Sequence, residues 1–209
     1  SDSVYIGSNI TFDNLSPLST YLGKPGSETR GGLPFDIYMR RQNEHRTAEI
    51  ASLLDTPHFI TRSEEIYRLP HFVCDSGGST CEVVDPDDPA DPVLTAPTKN
   101  LLMIWIKGSD AHTSELIRRF DRAPKPMYYK PDFLERMWDT YLAETGQSEA
   151  QVDPDAFVRW TYARALAHRQ PRYEAMARRG VTLLAEEVAG GKNPHDLVAL
   201  IGTAIDREA

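Results

Sequence analysis

The sequence lacks the features that would place the protein in a membrane or on nucleic acid. No apolar run approaches the roughly 20 residues of a membrane-spanning helix, and the opening SDSVYIGSN has no basic segment followed by an apolar core. The formal charge is −8, whereas a nucleic-acid-binding protein needs a basic surface against the phosphate backbone. We therefore expect a cytoplasmic protein that has neither a membrane nor a nucleic acid as its partner.

Cysteine is also scarce, and the histidines are scattered. The chain contains only Cys74 and Cys81, and its six histidines form no pair with the spacing of zinc ligands, so it offers no credible zinc site. Two cysteines in a sequence of cytosolic type are more often free thiols than a disulfide. We expect free thiols, with a disulfide across the Gly77-Gly78 turn as the alternative.

Two common catalytic signatures are missing as well. The phosphate-binding loop G-x-x-x-x-G-K-[ST] occurs nowhere, and the Gly23-Lys24 pair is followed by Pro25 where Ser or Thr is required. We interpret that pair as an exposed turn. The sequence also has no Gly-x-Ser-x-Gly elbow and no catalytic-cysteine context, so a hydrolase triad is unsupported.

What the sequence does contain is the composition of an ordinary globular protein. Its 40% hydrophobic and 26% charged residues, with a length sufficient to bury a core, predict one α/β domain over residues 1–209. Strands alternating with helices indicate parallel strands joined by right-handed crossovers. Four short apolar runs predict strands, at Val4–Ile6, His71–Cys74, Leu101–Ile106 and Val181–Leu184. Helices are predicted over Pro34–Leu54, from Thr61 or Ser63 to Tyr67, and from Ser109 or Asp110, Pro131, Pro154 and Pro194.

Three of these segments carry more specific expectations. The run Leu101–Ile106 has β-branched and aromatic members and predicts a strand buried on both faces, as in a parallel sheet. The acidic, proline-rich stretch Glu82–Pro97 predicts an exposed connection, with a short helix after Pro92. Pro171 is expected to interrupt or restart the helix that begins at Pro154.

An acidic residue followed by glycines is the first candidate site. Asp75 follows the apolar run His71–Cys74, and ligands of open parallel sheets bind beyond the carboxyl ends of the strands. A carboxylate in that place would hold magnesium directly or through water. Gly77 and Gly78 would leave backbone amides unobstructed for an anion. The alternative is a strand-terminating turn that Asp75 caps.

Arginines supply the remaining candidates. Arg118, Arg119 and Arg122 form a cationic cluster at the end of the helix that starts near Ser109. The alternative is a solvated helix end whose charge complements the helix dipole.

A second pair lies at the junction His168–Tyr173. The planar, permanently charged guanidiniums of Arg169 and Arg172 are suited to adenine stacking and to paired phosphate bonds. The alternative for this pair is a polar helix junction. Arg46 could reach an acceptor group, although a surface position is the default for such a residue.

Together these segments resemble a known family. The ending RQPRYEAMARRGVTLLAEEVAGGKNPHDLVALIGTAI resembles that of shikimate- and gluconate-kinase-like P-loop proteins, in which an arginine-proline-tyrosine junction lies near the adenine. HFVCDSGGS resembles their glycine-ended strand beside the acceptor site, and EHRTAE resembles their acceptor-side arginine segment. More closely, the tracts SNITFDNLSPLSTYLGKPG, HFVCDSGGSTCEVVDPDDPADPVL and RFDRAPKPMYY are similar to those of a bacterial family labelled "ATPase", over essentially the whole chain.

The resemblance implies a three-layer P-loop NTPase-like fold, with a parallel sheet flanked by helices and residues 108–145 as a lid or helical insertion. It implies an ATPase or kinase-like phosphotransferase that uses ATP and magnesium on an unknown acceptor. The implied residues are Asp75, Arg118, Arg119 and Arg122 for catalysis, Asp75 also for the metal, Arg169 and Arg172 for the nucleotide, and Arg46, Gly77 and Gly78 for the substrate.

The missing phosphate-binding loop is the departure from this family. An apolar strand directly after the first residues predicts a fragment that begins after the N-terminal strand, loop and helix. ATP and magnesium are then expected to bind only when that segment is restored, and this chain alone is expected to be inactive.

Two other functions stay open. A non-catalytic binding or regulatory protein on a degenerate kinase scaffold would use Pro34–Leu54 and the Trp138–Tyr141 stripe as partner surfaces. A small-molecule phosphotransferase with a defined acceptor would shape its pocket with the loop between Asn9 and Leu33.

Overall fold

The computed structural model describes residues 21–68 and 71–208, with side chains up to Arg207. Helices account for 66% of the described residues, and the sheet of these residues is a single parallel pair of strands. The predicted three-layer P-loop NTPase-like parallel sheet is therefore wrong. A short apolar run does not by itself distinguish a strand from irregular chain, and His71–Cys74 is irregular. The predicted strand Val4–Ile6 lies outside the described residues.

The helices and strands follow one another in a simple order. No helix within the described ranges combines the length and apolarity needed to cross a membrane. Two 3-10 turns, Glu28–Arg30 and Glu149–Gln151, accompany the longer elements. These are α1 Phe35–Leu54, α2 Thr56–Tyr67, α3 Thr80–Val83, α4 Pro92–Thr98, β1 Met103–Lys107, α5 Asp110–Arg122, α6 Pro131–Thr145, α7 Pro154–Ala177, β2 Gly180–Leu184, α8 Ala185–Gly190 and α9 Pro194–Glu208.

Contacts divide the chain into two compact units. The described part of unit 1 comprises residues 21–45 and 120–162, and that of unit 2 comprises residues 46–68, 71–119 and 163–208. The chain passes between the units within α1, α5 and α7. Each unit is therefore assembled from segments that are distant in sequence.

Unit 1 is built around aromatic side chains. Phe35 stacks on Trp138 with ring centroids 4.7 Å apart, and Trp138 meets the Phe157 ring edge to face at 4.9 Å. Trp138 and Tyr141 are both buried, because they form the inner face of α6. The Trp138–Tyr141 stripe therefore belongs to the core of unit 1, and its prediction as a partner surface is wrong.

The sheet lies in unit 2 and depends on a glycine. β1 and β2 pair in parallel with Met103 opposite Gly180. A Cβ at Gly180 would lie 2.0 Å from the Met103 carbonyl oxygen, so the register requires glycine at this position. Val181 and Leu183 of β2 are buried against Ala204 and its neighbours on α9. The predicted packing of the last helix against the sheet is confirmed.

The other strand is less buried than its sequence predicts. Ile104 and Ile106 of β1 lie opposite Val181 and Leu183 and share their face of the sheet. Their exposed fractions are nevertheless 36% and 52%, because α9 packs on β2. The prediction of a strand buried on both faces is wrong.

Several predicted helix boundaries are confirmed. α6 begins at Pro131 and ends before Gly146, which takes the left-handed conformation with φ 64°. The Asp153 carboxylate accepts hydrogen bonds from backbone N–H groups in the first turn of α7. α9 begins at Pro194, as predicted. Proline, glycine and capping residues thus set these boundaries locally.

Other local predictions need correction. Pro57 lies in the first turn of α2, which starts earlier than predicted. Pro171 lies inside α7 without ending it, since side chains on both sides of it are held by tertiary contacts. Glu82 and Leu94 are buried, so the stretch Glu82–Pro97 is not simply an exposed connection. Its predicted short helix is present as α4.

Candidate functional site

Asp75 lies in an exposed irregular segment, residues 71–79. The predicted position of Asp75 at the carboxyl end of a parallel strand is therefore wrong. The segment is fixed near its end, where the Ser79 hydroxyl donates to Glu49 Oε1 at 2.9 Å. Gly78, a predicted substrate-binding residue, is exposed but has its carbonyl engaged with α7.

A cluster of side chains on α7 binds the segment that follows Asp75. Arg169, Arg172 and Tyr173 are spaced so that they share one face of the helix. We call these three side chains, together with the segment Gly78–Val84 that they bind, the clasp. Its contacts are Tyr173 O–H to Gly78 O at 2.6 Å, Arg172 Nε to Cys81 O at 2.6 Å, Arg172 Nη2 to Val84 O at 2.8 Å, and Arg169 Nε to Glu82 Oε1 at 2.6 Å.

The ion pair of the clasp is withdrawn from solvent. The side chains of Arg169 and Glu82 are 5% and 0% exposed. Burial by itself would lower the pKa of Arg169, but the adjoining Glu82 carboxylate more than offsets this and leaves that pKa raised. Breaking such a pair leaves one charge buried without compensation, which costs about 3–5 kcal/mol. The pair therefore has a structural role in this state of the protein.

Both cysteines are free thiols, in contrasting environments. Cys81 is completely buried inside the clasp, and its Sγ donates to the Gly78 carbonyl at 3.5 Å. Burial raises the pKa of Cys81 to about 11, and it also raises the pKa of Tyr173. Cys74 is exposed, and partial desolvation followed by the nearby Asp75 charge raises its pKa as well. Both thiols are therefore protonated at neutral pH.

The arginines of α5 are placed differently from those of the clasp. Arg118 forms an exposed ion pair with Glu115 at 2.5 Å. Arg119 is exposed, and no ion pair or hydrogen bond of its side chain occurs among the described contacts. Arg122, at the end of α5, is also exposed. Arg46 lies half-buried on α1. Within unit 2, none of Arg46, Arg118 and Arg119 has a described hydrogen bond or ion pair with residues 71–79.

A polar group that was not predicted from the sequence as a site lies after the two strands. The Ser109 hydroxyl and backbone N–H both bond to Nδ1 of His112, at 2.8 and 3.2 Å. Glu186 Oε1 lies 3.5 Å from the same nitrogen. The pKa of Glu186 is lowered, first by a hydrogen bond from its own backbone N–H and then by Ser109 and His112. Because Nδ1 receives every contact, this is a helix cap rather than a serine–histidine–acid relay, in which the acid binds the other ring nitrogen.

No metal cage is present among the described side chains, since no three His, Cys, Asp or Glu residues converge there. A depression of about 310 Å³ opens between α8 and α9 with Glu187 and Asp196 in its wall. Asp196 accepts from the Lys192 backbone N–H, and Glu187 lies 3.8 Å from Arg207. None of the predicted site residues lines this depression.

Comparison with known proteins adds no relative. No family model, no curated protein and no solved structure matches the chain. The resemblance to P-loop kinase-like ATPases therefore stays a prediction from the sequence tracts. The functional argument depends on the chemistry of the described side chains.

Proposed function

We propose that the chain is part of an ATP-dependent enzyme, either an ATPase or a kinase-like phosphotransferase of unidentified acceptor. This proposal does not depend on a P-loop NTPase-like fold, which the two-stranded sheet of the described residues contradicts. The 209 residues contain no phosphate-binding loop, so the proposal requires one from a polypeptide segment outside them. The chain would contribute side chains that neutralise phosphoryl charge and place the acceptor.

The observation that carries the proposal is the cationic surface of α5. Arg119 is exposed without a described partner, and the pair of Arg118 with Glu115 lies in solvent, where such pairs contribute little. These guanidiniums therefore remain available to phosphoryl oxygens, which they bind in a planar, paired geometry. Stabilising the charge of a transferred phosphoryl group is the main task of a protein in this chemistry.

Asp75 could bind a magnesium ion only as one ligand among several, together with the phosphates of a bound nucleotide and water. Magnesium keeps several waters and takes one or two carboxylates together with substrate phosphates. Asp75 is an exposed carboxylate, and no three His, Cys, Asp or Glu residues converge within the described residues, so phosphates and water would complete its coordination. Magnesium would supply charge neutralisation to the bound phosphates.

The predicted adenine contacts are harder to accommodate. Arg169 is buried against Glu82, and Arg172 donates to two backbone carbonyls. A nucleotide would reach either guanidinium only after the clasp opened. The proposal therefore assigns no adenine contact to these two residues.

Calorimetric titration with Mg-ATP tests the proposal. The chain and a form extended upstream in its natural gene are titrated under identical conditions. We expect binding by the extended form and none by the chain alone. Binding by neither form would overturn the proposal.

A second candidate function, a non-catalytic binding protein, is favoured by exposed apolar side chains on α2. Phe59, Ile66 and Tyr67 are 49%, 59% and 68% exposed. Their spacing places them on one face of the helix, as in surfaces that receive a partner. This candidate predicts that neither form binds Mg-ATP, so the same titration separates the two functions.

A further inference from the structure

The clasp fixes the chain close to Asp75. Tyr173 O–H donates to the carbonyl of Gly78, three residues after Asp75. A Cβ at Gly78 would lie 3.0 Å from the Tyr173 hydroxyl oxygen, so the chain and α7 are in direct contact there. The next residue, Ser79, is bound by Glu49. The exposed segment that carries Asp75 therefore has a support formed by side chains far away in sequence.

We propose that Tyr173 and Arg169 are positioning residues that set the place of Asp75 and do not themselves contact the nucleotide. This role rests on the proposed function, in which Asp75 meets magnesium or the acceptor. A reacting group must be held to within a fraction of an ångström, and a residue on an irregular segment meets that requirement only through its supports. The structure provides two such supports, the clasp and the hydrogen bond from Ser79 to Glu49.

Arg169 and Tyr173 hold different parts of the segment. Arg169 is buried with Glu82 and holds the middle of the clasped segment, so its removal would affect folding as well as position. Tyr173 is partly exposed and binds the end of that segment nearest Asp75. Tyr173→Phe removes one hydroxyl and keeps the ring, which lies 6.4 Å from the Trp105 ring. That variant therefore separates positioning from folding.

The first measurement follows the clasp without any activity. In a Cys74→Ser background, the thiol reagent DTNB reports only Cys81, which is buried inside the clasp. We expect Tyr173→Phe to raise the labelling rate of Cys81 about fivefold, the scale of one lost hydrogen bond. Tyr67→Phe changes a mostly exposed tyrosine of the same unit and should leave the rate unchanged. An unchanged rate in Tyr173→Phe would show that its hydroxyl does not hold the segment.

The second measurement is a double-mutant cycle on Mg-ATP turnover by the extended form. It compares the wild type, Asp75→Asn, Tyr173→Phe and the double variant. If Tyr173 acts through Asp75, Tyr173→Phe lowers kcat about tenfold when Asp75 is present and has no further effect when Asn replaces it. A residue that only stabilises the fold would lower kcat by the same factor in both backgrounds.

Each outcome of the cycle is decisive. A loss confined to the Asp75 background supports the positioning role. Equal losses in both backgrounds, or no loss at all, overturn the role of Tyr173 while the proposed function stands. Absence of turnover in the wild-type extended form overturns the proposed function and the positioning role with it.

Discussion

Arg169 Nε donates a 2.6 Å hydrogen bond to Glu82 Oε1 from a position 87 residues away in the chain, and both side chains are almost completely buried. The pair fixes α3 to α7 in unit 2. Arg172 strengthens this attachment through the carbonyls of Cys81 and Val84. Arg169 and Arg172, whose sequence context suggests ligand binding, thus stabilise the fold through contacts within the protein.

Removing one member of this pair is expected to be far more damaging than removing both. Glu82→Ala leaves the charge of Arg169 buried without a partner, with an expected loss of about 3–5 kcal/mol in the free energy of unfolding. Replacing both residues by methionine fills a similar volume without charge and should recover most of that loss. Urea denaturation followed by circular dichroism gives both values.

The matched control uses an exposed pair. Glu115→Ala removes the partner of Arg118 on the surface of α5, where the expected loss is below about 1 kcal/mol. Should Glu82→Ala lose no more than Glu115→Ala, the buried pair does not hold the segment.

The buried Cys81 thiol is expected to make the free energy of unfolding fall at alkaline pH. Its pKa is about 11 in the folded protein, against an ordinary value of 9.0, so the folded state keeps a proton that the unfolded state loses between these values. Stability from this group is complete below about pH 9 and is lost as pH rises towards 11. We expect the free energy of unfolding to fall by roughly 2–3 kcal/mol more in the wild type than in Cys81→Ala.

Urea titrations at pH 8, 9, 10 and 11 on both proteins measure this difference. The lysines, and the tyrosines that do not interact with Cys81, are common to the two proteins and cancel in the comparison. Tyr173, whose pKa the neighbouring Cys81 raises, is changed to Phe in a second pair of proteins so that it contributes to neither. Parallel curves for wild type and Cys81→Ala would contradict the burial of the thiol.

Two glycines of unit 2 are expected to respond in opposite directions to alanine. A Cβ at Gly180 would lie 2.0 Å from the Met103 carbonyl oxygen, so Gly180→Ala should separate β1 from β2. A Cβ at Gly202 meets nothing within 4 Å on α9, and there alanine should stabilise the helix by about 0.5–1 kcal/mol. Hydrogen exchange of the β1 amides, with melting temperatures, checks both. Equal behaviour of the two variants would mean that the strand register is wrong.

The sequence predicts several helix boundaries and both described strands of this fold. Pro131, Gly146 and Pro194 mark helix boundaries through effects confined to one turn. The strands predicted at Leu101–Ile106 and Val181–Leu184 are present with slightly different bounds, as the parallel pair Met103–Lys107 and Gly180–Leu184. The predicted three-layer fold is wrong because such a fold requires every apolar run to be a strand of one sheet. Pairing depends on tertiary partners, which a run such as His71–Cys74 does not reveal.

The clasp could be anticipated only in part. The spacing of Arg169, Arg172 and Tyr173 places them on one helical face, which is a visible signal. Nothing near Glu82 shows that it would be buried, since its surroundings in sequence are acidic and rich in proline. Its partner is identified only once α7 lies beside it in three dimensions.

The most direct test of the proposed function is Mg-ATP turnover by the extended form with and without Arg119. Arg119→Ala removes an exposed guanidinium without a described partner, so we expect a loss in kcat of about 10²–10³ with little change in melting temperature. Arg62→Ala, which removes an exposed arginine paired with Glu65 on α2, should leave kcat unchanged. A fall in kcat confined to Arg119→Ala is the result that the proposal predicts, and equal kcat in wild type and Arg119→Ala would contradict it.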